Sequence, residues 1–255
     1  MALIAVVAVS AFAAALARAE LTASGDLFVR FSGGIEPNAL PRHKRAPVSV
    51  SVSGTVRTLS GERPPALRGI QIAINSSGHL DTNGLPVCRR GEIEPSSTAQ
   101  ALAICEAALV GSGSYDAEVA YPEQPAFRSQ GVILAFNSIV DGHRAVLAHI
   151  YDSDPIPFTL IIVFHIRQRS GTFGTVLAGS VPESVVRWGY LKRVSLTLHR
   201  NFIYRGRERS YLSASCHAPT GFPGATFPFA HASMSFEDGR SLSSTITRSC
   251  KVQNG

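Results

Sequence analysis

An apolar alternation of period two, repeated between short turn signals, runs through most of this chain and leaves it few architectures. Val48, Val50, Val52 and Val56 alternate with Ser49, Ser51, Ser53 and Arg57, and Ile70, Ile72 and Ile74 with Gln71, Ala73 and Asn75. Successive side chains of a strand point to opposite faces, so each run sets one face on a core and the other in water. Asn75-Ser76-Ser77-Gly78 ends the second run with turn residues, which also account for its chance match to a glycosylation sequon. Ile133 to Val140 and Arg144 to Ile150 flank Asp141-Gly142, and Ala232 to Phe236 and Leu242 to Arg248 flank Asp238-Gly239. Such dipeptides accept the positive φ angles of tight hairpins. Phe158 to Arg167 and Thr172 to Val181 join through Ser170-Gly171, while Val194, Leu196 and Leu198 lead towards a turn at Arg205-Gly206. The expected fold is all-β, an antiparallel sandwich or jelly-roll-like arrangement.

One segment departs from that period. Ser97-Thr98-Ala99-Gln100 matches a capping box, and Leu102, Cys105 and Leu109 follow at helical spacing, with Gly111 placed to close the helix in the left-handed conformation. A single short helix is predicted over about 97–110. Gly111-Ser112-Gly113-Ser114 then reads as the loop that stops it rather than as a serine nucleophile on a strand-to-helix turn.

The N-terminus bears on compartment. Ala2 to Leu16 is apolar except for Ser10 and closes on Ala17-Arg18-Ala19, a small-x-small cleavage signature, so residues 1–19 are expected to be a signal peptide. A spanning helix needs about 20 apolar residues, and the apolar run Ile156 to Ile166 is also too short and reads as a buried strand. Residues 20–47 follow as a strand from Gly25 to Ser32 and a Gly, Pro and basic connector from Gly33 to Pro47. Within it, Arg42-His43-Lys44-Arg45 reads as a solvated linker. Residues 48–255 form the β domain, long enough for two subdomains dividing near 125. With 45% hydrophobic and 16% charged residues, the chain can bury a sizeable core.

Four cysteines remain after the leader: Cys88, Cys105, Cys216 and Cys250. In an oxidising compartment an even count implies two bridges, and of the three formal pairings the sequence-local one, Cys88 to Cys105 and Cys216 to Cys250, is favoured. There is no C-x-x-C, and the adjacent Cys216 and His217 could not both turn inward from one strand, so no metal site is expected.

Gly33-Gly34-Ile35-Glu36-Pro37, Gly171-Thr172-Phe173-Gly174-Thr175, Ser210-Tyr211-Leu212-Ser213-Ala214-Ser215-Cys216, Gly221-Phe222-Pro223-Gly224-Ala225-Thr226-Phe227 and Ser244-Thr245-Ile246-Thr247-Arg248-Ser249-Cys250 resemble segments of exported, β-rich proteins of GC-rich soil actinobacteria. The resemblance covers most of the chain after the leader. It implies export and carries no activity, cofactor or catalytic residue.

Chemistry is sparse. No cofactor is expected, because no glycine cluster has a dinucleotide-binding or P-loop pattern. His149 near Asp152 and Asp154 is the most suggestive neighbourhood, but it combines an alternating strand with turn residues. Glu118, Glu123, Asp152, Asp154 and Glu237 could supply a glycosidase pair only through tertiary convergence. Without Arg18 the formal charge falls from +6 to +5, which does not imply nucleic-acid binding. The positive charge is nearly all Arg, yet between Arg187 and Tyr211 it concentrates: Arg187, Arg205, Arg207 and Arg209 stand with Trp188 and Tyr190 in what reads as one basic, aromatic hairpin. Arg beside aromatic rings suits an anionic partner, here a cell-wall polymer or membrane surface. The expected protein is thus a secreted or cell-envelope, disulfide-stabilised, non-catalytic β domain with a structural or surface-binding role. The alternative is a secreted hydrolase of cell-wall or environmental polysaccharide.

Overall fold

The computed structural model describes residues 20–153 and 156–253; the leader reading of 1–19 and Asp154 lie outside them. In chain order come β1 (Glu20–Ser24), β2 (Leu27–Glu36), β3 (Ala39–Leu40), β4 (Ala46–Pro47), β5 (Ser49–Thr58), β6 (Leu67–Asn75) and β7 (Gly78–Leu80). Two helices, α1 (Arg90–Ile93) and α2 (Thr98–Cys105), precede the long strands β8 (Leu109–Val119), β9 (Phe127–Val140), β10 (His143–Asp152), β11 (Phe158–Gln168) and β12 (Phe173–Ser180). The chain continues through α3 (Glu183–Val186), β13 (Gly189–Leu198), β14 (Asn201–Tyr204), β15 (Arg207–Ser210), β16 (Leu212–Ala214), β17 (Gly224–Phe236) and β18 (Ser241–Val252). The fold is all-β. A large sheet runs β1-β2-β5-β13-β8-β9-β10-β11-β12-β6-β17-β18-β3, antiparallel except for the short β18–β3 pairing.

This sheet curls until its two ends meet. The Arg248 guanidinium reaches Glu20 at 3.1 Å, and Arg240 bonds both Asp26 at 2.6 Å and the Ser24 carbonyl at 3.1 Å. Curling brings β2 and β5 over β17, close enough that a Cβ on Gly54 would sit 2.7 Å from Met234 Cε. The alternating apolar residues of these strands, among them Val29, Phe31, Val56, Phe229 and Met234, fill the space between. β9 and β10 are buried on both faces, which explains the unbroken burial from Ile133 to Ser138 and from Ala145 to Ile150. Ile133, Ala148 and Ile150 face inward. Leu134, Phe136 and Leu147 face outward beneath Ile93, Ala101 and Cys105 of the helical segment.

The tight turns form as their residues demand. Asp141 and Gly142 take φ of 51° and 77°, and Arg205 and Gly206 take 52° and 70°. Ser97 accepts the Gln100 N–H while the Gln100 side chain accepts the Ser97 N–H, completing the expected capping box. Both disulfides are local: Cys88–Cys105 and Cys216–Cys250, with Cα separations of 5.5 and 5.8 Å.

Three sequence expectations need correction. The helix is shorter than 97–110: α2 ends at Cys105 and a 3₁₀ turn at Ala108, and Gly111-Ser112-Gly113-Ser114 lies inside β8. Those glycines are there for close approach, since a Cβ on Gly111 would fall 2.3 Å from the Thr197 carbonyl oxygen and one on Gly113 1.9 Å from that of Ser195. The connector is partly sheet, because Gly33 to Glu36 continue β2 against Ser49 to Val52. The segment from Arg187 to Tyr211 is not one hairpin, because β13 is a strand of the large sheet between β5 and β8 and only β14 and β15 pair as a hairpin.

Candidate functional site

The separation of β13 from the β14–β15 hairpin divides the predicted basic and aromatic residues into two groups. Arg187, Trp188 and Tyr190 sit where β13 begins, whereas Arg205, Arg207 and Arg209 follow its far end, about 30 Å away at the rise of an extended strand. In the first group Trp188 packs against Tyr121 with ring centroids 6.0 Å apart, and the Arg63 guanidinium lies 4.8 Å above Tyr190. Arg63 and Lys192 both bind the Glu118 carboxylate, at 2.7 and 2.6 Å, and hold its pKa below the ordinary range. Here two cations share one carboxylate, and Arg187 is exposed at the start of the strand.

The second group lies on the β14–β15 hairpin, where the exposed Glu208 stands between Arg207 and Arg209. Arg205 stacks over Tyr204 at 5.1 Å, and Arg207 is exposed beside it. Arg209 is committed elsewhere: it pairs with Asp81 at 2.6 Å, and the carboxylate is nearly buried. The Tyr204 ring occupies the place a side chain on Gly84 would need, only 2.0 Å from that glycine's ideal Cβ. Tyr204 and Arg209 therefore seat the hairpin on the 81–84 loop, and Arg205 and Arg207 are the arginines it presents to solvent.

Beside the hairpin, the short sheet β4-β16-β7 plugs one end of the curled main sheet. Its inner face is apolar, carrying Leu80, Leu212 and Ala214 into the core. Alternation turns its polar residues outward. Ser213 stands between Pro47 and His79, and His217 lies 3.3 Å from Ser77 Oγ and 3.0 Å from Ser215 Oγ. Arg45 enters this sheet one residue before β4, and the antiparallel register sets it at the Ala214 end of β16, across the plug from the β15 end. Partial burial and then the charges of Arg45, Arg144 and Arg209 hold the His79 pKa below its ordinary value, with Asp81 opposing them. His79 and Arg144 carry no local motif and were not singled out in the sequence; the plug register places His79 two strands from β4, and Arg144 comes from β10, near enough for its charge to act on His79.

Enclosed space is scarce here. The cleft beneath the plug, lined by Val50, Ile74, His79 and Phe229 among others, measures about 30 Å³, room for one water rather than the roughly 300 Å³ of a small ligand pocket. A more open groove of about 270 Å³ between β5 and β13 is lined by charges of both signs, including Arg57, Glu62 and Asp116.

Among the described residues the catalytic candidates do not converge. Ser129 donates to Asp152, and Tyr115 Oη lies 3.1 Å from Ser129 Oγ, on the inner face of β8 to β10. Glu118 stands three residues from Tyr115 and so on the opposite face. Glu237 accepts the Ala66 N–H in the β17–β18 loop. Glu123 is exposed between β8 and β9. Near the helices, ligand atoms of Cys88, Cys105 and Glu92 gather within 4.8 Å, but both sulfurs are spent in the disulfide.

His149, fully buried, explains itself structurally. Its Nε2 donates to the Ser96 carbonyl at 3.1 Å, fixing the loop before α2 to β10. Its Nδ1 has no partner among the described residues, so protonation would place an unpaired N–H in the core, and burial lowers the pKa. Below about pH 6.5 the unfolded chain takes up this proton and the folded chain does not, so stability falls as the pH falls through that window. His79 adds a contribution of the same sign. Urea unfolding of His149→Gln should therefore show a shallower loss between pH 6.5 and 5 than the wild type, by up to about 1.4 kcal/mol per pH unit. Equal slopes would show that His149 is charged in the folded protein. The chain matches no protein-family model, no curated protein and no solved structure.

Proposed function

We propose that this is an exported protein of the cell envelope or extracellular space that binds an anionic partner, a cell-wall polymer, without catalysing a reaction. The observation that carries the reading is the β14–β15 hairpin, which holds Arg205 and Arg207 exposed beside Tyr204 while Arg209 and Asp81 anchor its base. Guanidinium groups pre-positioned by an aromatic ring and a buried anchor lose less entropy on engaging an anion than free side chains do. Two disulfides support an oxidising destination. Among the described residues no helix is long and apolar enough to cross a membrane.

The test replaces Arg205 and Arg207 together by Ser and leaves Arg209 in place. Binding to an anionic wall preparation is expected to weaken roughly thirtyfold, since each of the two arginines near a charged surface contributes about 1 kcal/mol. Thermal stability should change little, because exposed charges contribute within about 0.5 kcal/mol each. Wild-type binding should also fall steeply with salt, as the Debye length shrinks from about 10 Å at 0.1 M to about 3 Å at 1 M. Salt-insensitive binding, or unchanged binding by a folded double variant, would remove the support for this reading.

A further inference from the structure

The arginine hairpin is one edge of a larger constellation. The plug sheet joins it to a basic cluster some 160 residues earlier in the chain, and the surface between them is a platform of hydrogen-bond donors. Across three strands spaced about 4.8 Å apart, the outer face presents the Ser77 and Ser213 hydroxyls with the His79 and His217 imidazoles, His217 being held in place by Ser77 and by the buried Ser215. Arg45 directly precedes β4, and Arg144 of β10 is near enough for its charge to act on His79; both are exposed. Asp81 is the carboxylate whose charge acts on His79, and it is already bonded to Arg209, so the positive charge of Arg45 and Arg144 is left uncompensated by it.

We propose that the outer face of the plug sheet, with Arg45, His79, Arg144, Ser213 and His217, is a binding platform for a phosphodiester-bearing polymer, which continues onto Arg205 and Arg207. The inference rests on the reading that the protein binds an anionic partner and names the site and the anion. Hydroxyl, imidazole and guanidinium groups are donors to phosphate oxygens, and the guanidinium bonds are charge-assisted. The charges are spread over more than one strand spacing and the cleft below admits only about one water, so nothing encloses a small ion. A chain with phosphates at intervals can instead engage several donors at once, each weakly, and gain through multivalency.

The experiment uses the full disulfide-bonded protein and long-chain inorganic polyphosphate, with phosphatidylglycerol vesicles as a separate probe. Two double variants are compared: Arg45→Ser with Arg144→Ser, and Arg205→Ser with Arg207→Ser. The platform variant should bind polyphosphate at least about tenfold more weakly and lose more than the hairpin variant. Amide shifts of wild-type protein on titration should map to residues 77–79 and 213–217, a readout that stands even where a variant fails to fold. Shifts confined to 201–209, with the platform variant binding normally, would overturn the inference and leave the anionic-partner reading intact. Binding to vesicles without binding to polyphosphate would overturn the polymer as ligand. Binding to neither probe would overturn the anionic-partner reading, and this inference with it.

Discussion

Replacing Cys216 and Cys250 together by Ala should lower the stability of the protein by about 4 kcal/mol, more than the same treatment of Cys88 and Cys105, for which about 3 kcal/mol is expected. The difference follows from loop closure: the bridges span 34 and 17 residues, and a longer loop loses more unfolded-state entropy when it is closed. The spatial roles differ as well. Cys216 follows the plug strand β16 and its N–H bonds the Pro41 carbonyl, while Cys250 lies near the end of β18, so this bridge fastens the plug to the rim of the main sheet. The other fastens α2 to the segment before α1. Against a typical net stability of about 5 to 15 kcal/mol, either loss is large. Denaturant unfolding of each double variant, with the other bridge intact, reads the magnitudes. Hydrogen exchange should accelerate over 212–216 in the first variant and over 88–105 in the second. A smaller loss from the 216–250 pair would mean that the plug is held by packing rather than by its disulfide.

Phe136→Ala should cost about 3 to 5 kcal/mol, the range for removing a buried aromatic ring whose surroundings close only in part. Phe136 is fully buried on the outer face of β9, against Leu147 of β10 and under the disulfide-linked helical segment. That layer is thin, and α1 and α2 are too short to hold their shape without a surface to pack on. Ile139→Ala, three residues on in the same strand, should change stability by less than about 0.5 kcal/mol because Ile139 is 52% exposed. Comparable losses at the two positions would show that the helical segment does not cover β9 as described.

Much of the fold was legible because its signals are local. Period-two alternation marked β5, β6 and β13, Asp141-Gly142 marked the β9–β10 hairpin, and Ser97 with Gln100 marked the start of α2. The short loops between Cys88 and Cys105 and between Cys216 and Cys250 made the pairing readable. Each of these rests on residues whose partners lie nearby in the chain. Other features rest on distant partners. Gly111 and Gly113 look like a helix stop until Thr197 and Ser195 of β13 come within contact of them. Arg209 looks like a free surface charge until Asp81 is found beside it. His149 looks chemically suggestive until the Ser96 carbonyl accepts a hydrogen bond from its Nε2–H and the core closes around it.

The candidate site divides in the same way. Composition pointed to Arg205 and Arg207 because they sit close together in the chain, but it grouped them with Trp188 and Tyr190, which ten residues of extended strand carry to the other end of β13. It dismissed Arg42 to Arg45 as a linker, because nothing nearby in sequence gave that cluster a partner. Alternation states that a strand has a buried face and an exposed one, and it is silent on which strand lies alongside. By itself the sequence determined the strands with clean alternation, such as β5, β6 and β13, the Asp141-Gly142 turn and the two bridges, whose partners lie within a few tens of residues. Only the pairing of β16 with β4 and β7, contacts spanning well over a hundred residues, decided that Arg45, His79 and Ser213 share one surface.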